Sequence, residues 1–266
     1  MSIPRVPDTS GSGLGAVTRR IHVIGIGAGD PGYVTAQAVE ALNDVDVFFA
    51  SAKGSRKDDL VALRREICER FIREPGYRFV ELADPPRSKE TPDSPAYRQA
   101  VADWHAARAE LWARALLDEL ADDGVGAFLA WGDPSLYDST LRILDAVADR
   151  VDFTYDVIPG ITAIQALTAR HRIPLNDIGA PVLITTGRRL REEGLAGATV
   201  VMLDGDCAFL SCAAATRIWW GAYLGTPDEI LVDGTIAAVG DRIEAVRAAA
   251  RERHGWIMDI YLLKPG

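Results

Sequence analysis

The residues of this chain whose types and spacing could do chemistry sit in three loops. Each pairs glycine with a short polar side chain: Gly29-Asp30, Gly132-Asp133, and Gly160 with Thr162. Glycine lets a main chain bend sharply and approach a ligand closely. The neighbouring carboxylate or hydroxyl can accept a hydrogen bond from the ligand or from the loop's own amides. The first loop lies in Ile21-His-Val-Ile-Gly-Ile-Gly-Ala-Gly-Asp-Pro-Gly-Tyr-Val-Thr35, where Gly27-Ala-Gly-Asp-Pro-Gly32 matches the dinucleotide pattern G-x-G-x-x-G. Three residues oppose a dinucleotide. Asp30 places a carboxylate where a pyrophosphate would sit, and Pro31 removes a backbone donor. Ser51, at the end of the second apolar run, is not the acid wanted for a ribose hydroxyl. The acidic loop suits a ligand that is cationic nearby, and an NAD-dependent oxidoreductase is disfavoured.

Other chemistry-bearing residues flank these loops. Lys53 and Gly54 lie at the tip of the second strand, followed by Arg56 and Lys57. They fit either a solvated basic turn or an anion contact. Residues 83–95 hold four prolines and Arg87, so they read as a long loop, either a lid over a ligand or a surface segment. Trp104 and His105 are adjacent on a long helix and so point to different sides. Trp104 reads as core, and His105 as a residue of the cleft or of the surface. Cys68, Cys207 and Cys212 form no C-x-x-C pair, so neither a zinc site nor any other metal site is expected.

These residues need elements to position them. Ile21, Val23, Ile24 and Ile26 form a strand apolar on both faces. Thr35 caps a helix to about Asn43. Strands follow at Val45–Ala50, Tyr77–Leu82, Ala127–Trp131 and Phe153–Ile158, with helices at Leu60–Phe71, Ala96–Leu120, Ser139–Ala148 and beyond Thr162. In such an alternation the three glycine loops fall at the carboxyl ends of strands, where open parallel sheets bind ligands. Residues 171–179 read as a junction. Beyond them, strands at Pro181–Thr186, Ala198–Leu203, Arg217–Tyr223, Glu229–Val232 and Trp256–Leu263, with helices at Cys207–Ala215 and Arg242–His254, imply a mixed sheet. The expected organisation is a tail over 1–19, a mostly parallel α/β domain over 20–178 and a smaller mixed-sheet α/β domain over 179–266, with a ligand cleft between the domains.

The bulk numbers agree with a globular protein of 266 residues, 48% hydrophobic and 25% charged. A net charge of −9 opposes general nucleic-acid binding. No apolar run reaches the roughly 18–20 residues of a membrane span. The first 19 residues are rich in Pro, Gly and Ser without an apolar core, which reads as a disordered tail and not as a signal peptide. A cytoplasmic location is expected, since the cysteine usage suits a reducing compartment.

Gly25-Ile-Gly-Ala-Gly-Asp-Pro-Gly-Tyr-Val-Thr35, Trp131-Gly-Asp-Pro134, Pro159-Gly-Ile-Thr162 and Gly234-Thr235 resemble, in order and spacing, the tetrapyrrole methyltransferases. The resemblance spans roughly residues 20–264 and implies a two-domain fold with S-adenosylmethionine in the interdomain cleft. By motif position it implies cofactor contacts at Ala28, Trp131, Gly132, Asp133, Leu136, Thr162, Ala163, Asp204, Ala222 and Tyr223. Ala28 stands where the family often has proline, and Trp131 where it often has a second glycine, which would thicken one wall of the pocket. Lys53-Gly54, Lys57-Asp-Asp-Leu60, Asp84-Pro-Pro-Arg87, Trp104-His105 and Trp220-Gly-Ala-Tyr-Leu-Gly-Thr-Pro-Asp-Glu229 resemble the members that methylate ring carbon C1 of precorrin-5 with loss of acetate. That implies substrate contacts at Lys53, Arg87 and His105, Lys53 and Asp133 as catalytic candidates, and a homodimer. Asp133 fits either a cofactor contact or a cap on its own turn. Alternatives are methylation of another ring position, methylation of a protein side chain as in diphthine synthase, and a non-catalytic ligand-binding module.

Overall fold

In the computed structural model, which describes residues 18–52, 58–86 and 95–266, the chain folds as two α/β units, each built on a five-stranded sheet. The first sheet contains β1 (Arg19–Gly25), β2 (Val47–Ala52), β3 (Arg78–Ala83), β4 (Val125–Ala130) and β5 (Phe153–Ile158), in the order β3-β2-β4-β1-β5. Every neighbouring pair is parallel. Parallel pairs need crossover helices, which cover both faces. On one face α1 (Ala36–Leu42) and α2 (Asp58–Phe71) bring Ala38, Leu42 and Ile67 to Ile24, Ile26 and Phe48. On the other, α3 (Pro95–Glu119) and α4 (Thr140–Ala148) bring Trp112, Leu116 and Ile143 to Ile21, Val23 and Phe128. Odd and even residues of β1 thus enter different cores, which is why the strand is apolar without alternation.

The connections decide where a ligand can sit. From β1 the chain moves to β2 on one side, and from β4 it moves to β5 on the other. The winding therefore reverses at the tips of β1 and β4, which is where ligands of open parallel sheets bind.

The second sheet contains β6 (Val182–Thr186), β7 (Ala198–Met202), β8 (Arg217–Ala222), β9 (Ile230–Thr235) and β10 (Asp259–Lys264), in the order β6-β7-β10-β8-β9. β6 and β7 are parallel, and the other pairs are antiparallel. Between the sheets runs α5 (Ala163–His171), capped by Thr162, whose hydroxyl accepts from Ile164 N at 3.1 Å and which forms a capping box with Gln165. α6 (Gly187–Glu193) and α7 (Ile236–His254) complete the unit.

Strand limits in the first sheet fall within two residues of expectation. The second unit departs further. The helix expected over 207–215 is a short 3-10 turn at Ala208–Ser211, entered through Cys207 at φ +56°. α7 starts at Ile236, well before Arg242, because Gly240 looks like a break in sequence but packs under Leu210. α6 is short, and its apolar contribution to the core is Leu190, so it has no periodicity to read. The last strand starts at Asp259 and not at Trp256, since Gly255 in the left-handed region ends α7 and residues 256–258 turn first. Trp104 is half-buried and lies outside the apolar cores, which corrects its reading as core. Its ring also meets that of His105, with centroids 5.3 Å apart.

Burial raises all three cysteine thiols, Cys68 to about 12, so none is a thiolate at neutral pH. Among the described residues no helix is long and apolar enough to cross a membrane, and no group of three His, Cys, Asp or Glu is placed to hold a metal.

Candidate functional site

The three glycine loops meet main chain to main chain. Beyond the ends of β1 and β4, Gly27 and Gly132 exchange two hydrogen bonds, Gly27 N to Gly132 O at 3.2 Å and Gly132 N to Gly27 O at 2.8 Å. Gly160, at the tip of β5, presses against Gly132 and Gly25. A Cβ there would stand 2.0 Å from Gly132 O and 2.8 Å from Gly25 Cα, so no other residue fits. Asp133 locks the junction. Its Oδ2 accepts from Gly160 N at 2.8 Å, and its Oδ1 accepts from Ser135 N at 2.8 Å and from the Ser135 hydroxyl. Burial pushes this carboxyl up, but those hydrogen bonds outweigh it and hold it below the usual carboxylate value. Asp30 acts similarly: its Oδ1 accepts from Gly32 N at 2.7 Å. That consumes a donor that a dinucleotide phosphate would need.

Beside this junction a cavity of about 260 Å³ opens between the two units. Small-molecule sites span about 300–1,000 Å³, so it lies just under their lower end. Ala28, Trp131, Leu136, Tyr137, Asp138 and Ala163 line it from the first unit. Met202, Leu203, Asp204, Leu224 and residues 257–260 line it from the second. The units are close here because Gly29, at φ +141°, lies against the Leu224 carbonyl, where a Cβ would stand at 2.3 Å. Arg170 on α5 adds an ion pair to Glu229, Nε to Oε1 at 2.7 Å. A larger hollow, about 380 Å³, lies between Arg65, Glu69 and Tyr77 at the outer edge of the first sheet and contains no motif residue.

The two walls differ in charge. In the first unit Asp138 acts on two guanidiniums, that of the buried Arg108 and that of the half-buried Arg64. Arg108 pairs with Asp84 at 2.9 Å, lies 4.6 Å from the Trp104 ring and 5.0 Å from the Trp112 ring, and reaches Ser139 Oγ at 3.5 Å. Arg64 donates to Leu129 O at 3.1 Å. Burial pulls both guanidiniums below their usual value, opposed by Asp84 and Asp138 at Arg108 and by Asp138 at Arg64. In the second unit Arg247 pairs with the Asp259 carboxylate, Nε to Oδ2 at 2.9 Å, and donates besides to the main-chain O of Asp204, whose own carboxylate is held by Asp206 N, Ala208 N and the Tyr261 hydroxyl.

Of the residues expected to contact a cofactor, Ala28, Trp131, Leu136, Ala163 and Asp204 line the cavity, and Trp131 does form part of its wall. Gly132, Asp133 and Thr162 build the junction beside it. Ala222 and Tyr223 do not line it. Both are buried behind it, with Tyr223 N donating to Met258 O at 3.0 Å and its hydroxyl to Trp256 O at 2.6 Å. Of the residues expected to contact substrate, Lys53 and Arg87 lie outside the described residues, as do most of the tail and the greater part of the lid. His105 is half-buried on α3, one turn before Arg108. Sequence reading passed over Arg64, Arg108, Arg247 and Asp259. A signal existed for two of them. Arg247 sits on the stripe Ile243, Arg247, Ala250 that α7 buries, and Asp259 opens an otherwise apolar strand.

Residues 20–240 match the family described as tetrapyrrole (corrin/porphyrin) methylases. The precorrin-6A synthase [deacetylating] of a Sinorhizobium species is 52% identical over 253 residues, covering 93% of this chain and 96% of that protein. A cobalamin synthesis related protein (CobF) from Corynebacterium diphtheriae superposes with a TM-score of 0.81 at 40% identity, covering 93% of this chain and 98% of that one. A uroporphyrin-III C-methyl transferase from Thermus thermophilus, complexed with S-adenosylhomocysteine, shares the fold at TM-score 0.58 and 17% identity, covering 92% of each chain.

Proposed function

The chain belongs to the tetrapyrrole (corrin/porphyrin) methylases, and from that premise we propose that it performs the deacetylating precorrin-6A synthase reaction of cobalamin biosynthesis. In this reading S-adenosylmethionine donates a methyl group to ring carbon C1 of precorrin-5, and a two-carbon acyl group leaves as acetate. The observation that carries it is the 52% identity, over 93% of this chain, to the precorrin-6A synthase [deacetylating] of a Sinorhizobium species; three glycine-built strand tips beside an interdomain cavity with mostly apolar walls support the cofactor site.

When bound, S-adenosylmethionine supplies a methyl group already activated on a sulfonium. The chain's part is to hold donor and acceptor in line at about 3–3.5 Å and to exclude water. The junction of Gly25, Gly132 and Gly160 keeps side chains out of the approach. Trp131, Leu136 and Met202 supply apolar surface, and Ala28, Ala163 and Asp204 complete the wall. Thr162 and Asp133 set the loop geometry through hydrogen bonds to their own neighbours. Ala222 and Tyr223 support residues 257–260 from behind. The polycarboxylate ring is assigned to the β2 and β3 side of the crevice, with Lys53, Arg87 and His105 as its contacts and Arg64 and Arg108 as positive charge beneath. Loss of the acyl group needs water and a base, a role assigned to no residue; Lys53 and Asp133 are the catalytic candidates, and both carboxylate oxygens of Asp133 are engaged within the loops.

A cytoplasmic location and a homodimer belong to the same proposal. The dimer is supported by apolar side chains on edge strands, Tyr155 and Val157 on β5 and Leu183 and Ile184 on β6, each about two-fifths exposed. A sedimentation mass of one chain would remove the dimer. The test of function is mass spectrometry after incubation with precorrin-5 and S-adenosylmethionine. A gain of one methyl with release of acetate is expected. Methylation with the acyl group retained would refute the deacetylating assignment.

A further inference from the structure

Two donors converge on one oxygen of Asp259. Arg247 Nε reaches Oδ2 at 2.9 Å and Trp220 Nε1 reaches it at 3.0 Å. Among the described residues no donor engages Oδ1. The side chain is 5% exposed and belongs to the cavity wall. Its backbone is fixed at the start of β10, paired with Ala222. One oxygen is therefore an anchor and the other is open to a ligand.

Asp204, the other acid of this wall, is arranged differently. Its Oδ1 accepts from Asp206 N at 3.0 Å, and its Oδ2 accepts from Ala208 N and from the Tyr261 hydroxyl, both at 2.7 Å. Both of its oxygens are occupied within the protein. Arg247 is paired with Asp259 and reaches only the main-chain O of Asp204, so among the described residues this wall holds one carboxylate, that of Asp204, with no ion-pair partner. S-adenosylmethionine, which carries a sulfonium and an α-ammonium, complements that charge.

We propose that Asp259 is a cofactor-binding residue: its Oδ1 accepts a hydrogen bond from a donor of S-adenosylmethionine, the α-ammonium or a ribose hydroxyl, and Arg247 is the positioning residue that aims it. The inference rests on the cofactor reading above. Such a bond to a buried carboxylate is charge-assisted and acts at low effective dielectric. Burial pushes the Asp259 carboxyl above its usual range, against the pull of Arg247 and Trp220. A ligand donor on Oδ1 adds to that pull.

The test is calorimetry of wild type and D259N with S-adenosylmethionine, S-adenosylhomocysteine and 5′-methylthioadenosine. The amide keeps a carbonyl for Arg247 and Trp220 and turns an NH2 toward the cavity. The Kd for S-adenosylmethionine should rise about 10- to 100-fold, the range of one charge-assisted hydrogen bond. Methylthioadenosine lacks the amino-acid end: an equal loss with it assigns the hydroxyl, and no loss with it assigns the ammonium. A Kd within about twofold of wild type overturns the proposal. If wild type itself does not bind S-adenosylmethionine, the function reading fails instead. Should D259N not fold, R247M/D259N removes the buried charge together with its partner and carries the same expected and overturning results. For Arg247, R247K should raise the KM for S-adenosylmethionine and leave that for precorrin-5 unchanged. Equal changes in both, or in neither, remove it as a positioning residue.

Discussion

The two walls of the cleft are built in opposite ways. The wall from the first unit is main chain: Gly25, Gly27, Gly132 and Gly160 touch through backbone atoms, and Asp133 ties Gly160 to the β4 loop. The wall from the second unit is held mainly by side chains: Arg247 and Trp220 donate to the Asp259 carboxylate, Tyr261 donates to the Asp204 carboxylate, and Arg247 also reaches the main-chain O of Asp204. At Gly25 and Gly160 the backbone wall cannot admit one added carbon. A side-chain wall tolerates changes of shape but not the loss of a single charge, because the partner is left buried and unpaired.

The largest expected effect comes from the side-chain wall. R247M strands Asp259 and should lower the unfolding free energy by about 3–5 kcal/mol in denaturant titration. Adding D259N should restore most of that loss. If the double variant is no better than the single one, the wall is not held by charge pairing and the comparison breaks. Next comes G160A, whose Cβ would stand 2.0 Å from Gly132 O. Overpacking of this kind should remove about 3 kcal/mol and cofactor binding with it. A smaller loss would mean that the junction can open.

D133N should cost about 2 kcal/mol near neutral pH through its hydrogen bonds to Ser135 and Gly160. Its folded-state carboxyl lies below the ordinary 3.8. The stabilisation is therefore complete above that value and is lost as pH falls through the folded one. The gap between wild type and D133N should close in acid below about pH 4, and a gap constant with pH would place the stabilisation elsewhere. The smallest effect sharpens the contrast. Gly205 follows Asp204 behind the second wall, its carbonyl accepting from Arg247 Nη1 at 3.2 Å; an added methyl would meet nothing within 4 Å and the backbone is not left-handed, so G205A should change stability by less than about 0.5 kcal/mol. A large loss there would show that the second wall also depends on bare backbone.

The same contrast separates what could be read early from what could not. The loops at Gly29-Asp30, Gly132-Asp133 and Gly160-Thr162 were legible because glycine and capping residues act within a few positions of themselves. The apolar run of β1 implied a sheet covered on both faces, and the parallel sheet bears it out. Trp104 and Trp112 lie on one helix, and the sequence favours core for Trp104. Trp112 is the one that stacks on Phe128, while Trp104 lies beside Arg108 and donates to Pro85 O at 3.0 Å. Periodicity places both residues on a helix but does not say which face meets the sheet and which meets the loop.

By itself, then, the amino-acid sequence determined the strand-tip loops and the two α/β units, because these follow from local backbone preference and hydrophobic period, and it carried the family through the resemblance of its four separated motifs. Only the tertiary structure decided the second wall. Arg247 meets Asp259 across 12 residues, Trp220 meets Asp259 across 39, and Tyr261 meets Asp204 across 57. No local rule specifies those pairings. They arise when β8 and β10 pair and α7 packs against the second sheet, so that a charge which looks misplaced in one element finds its partner on another.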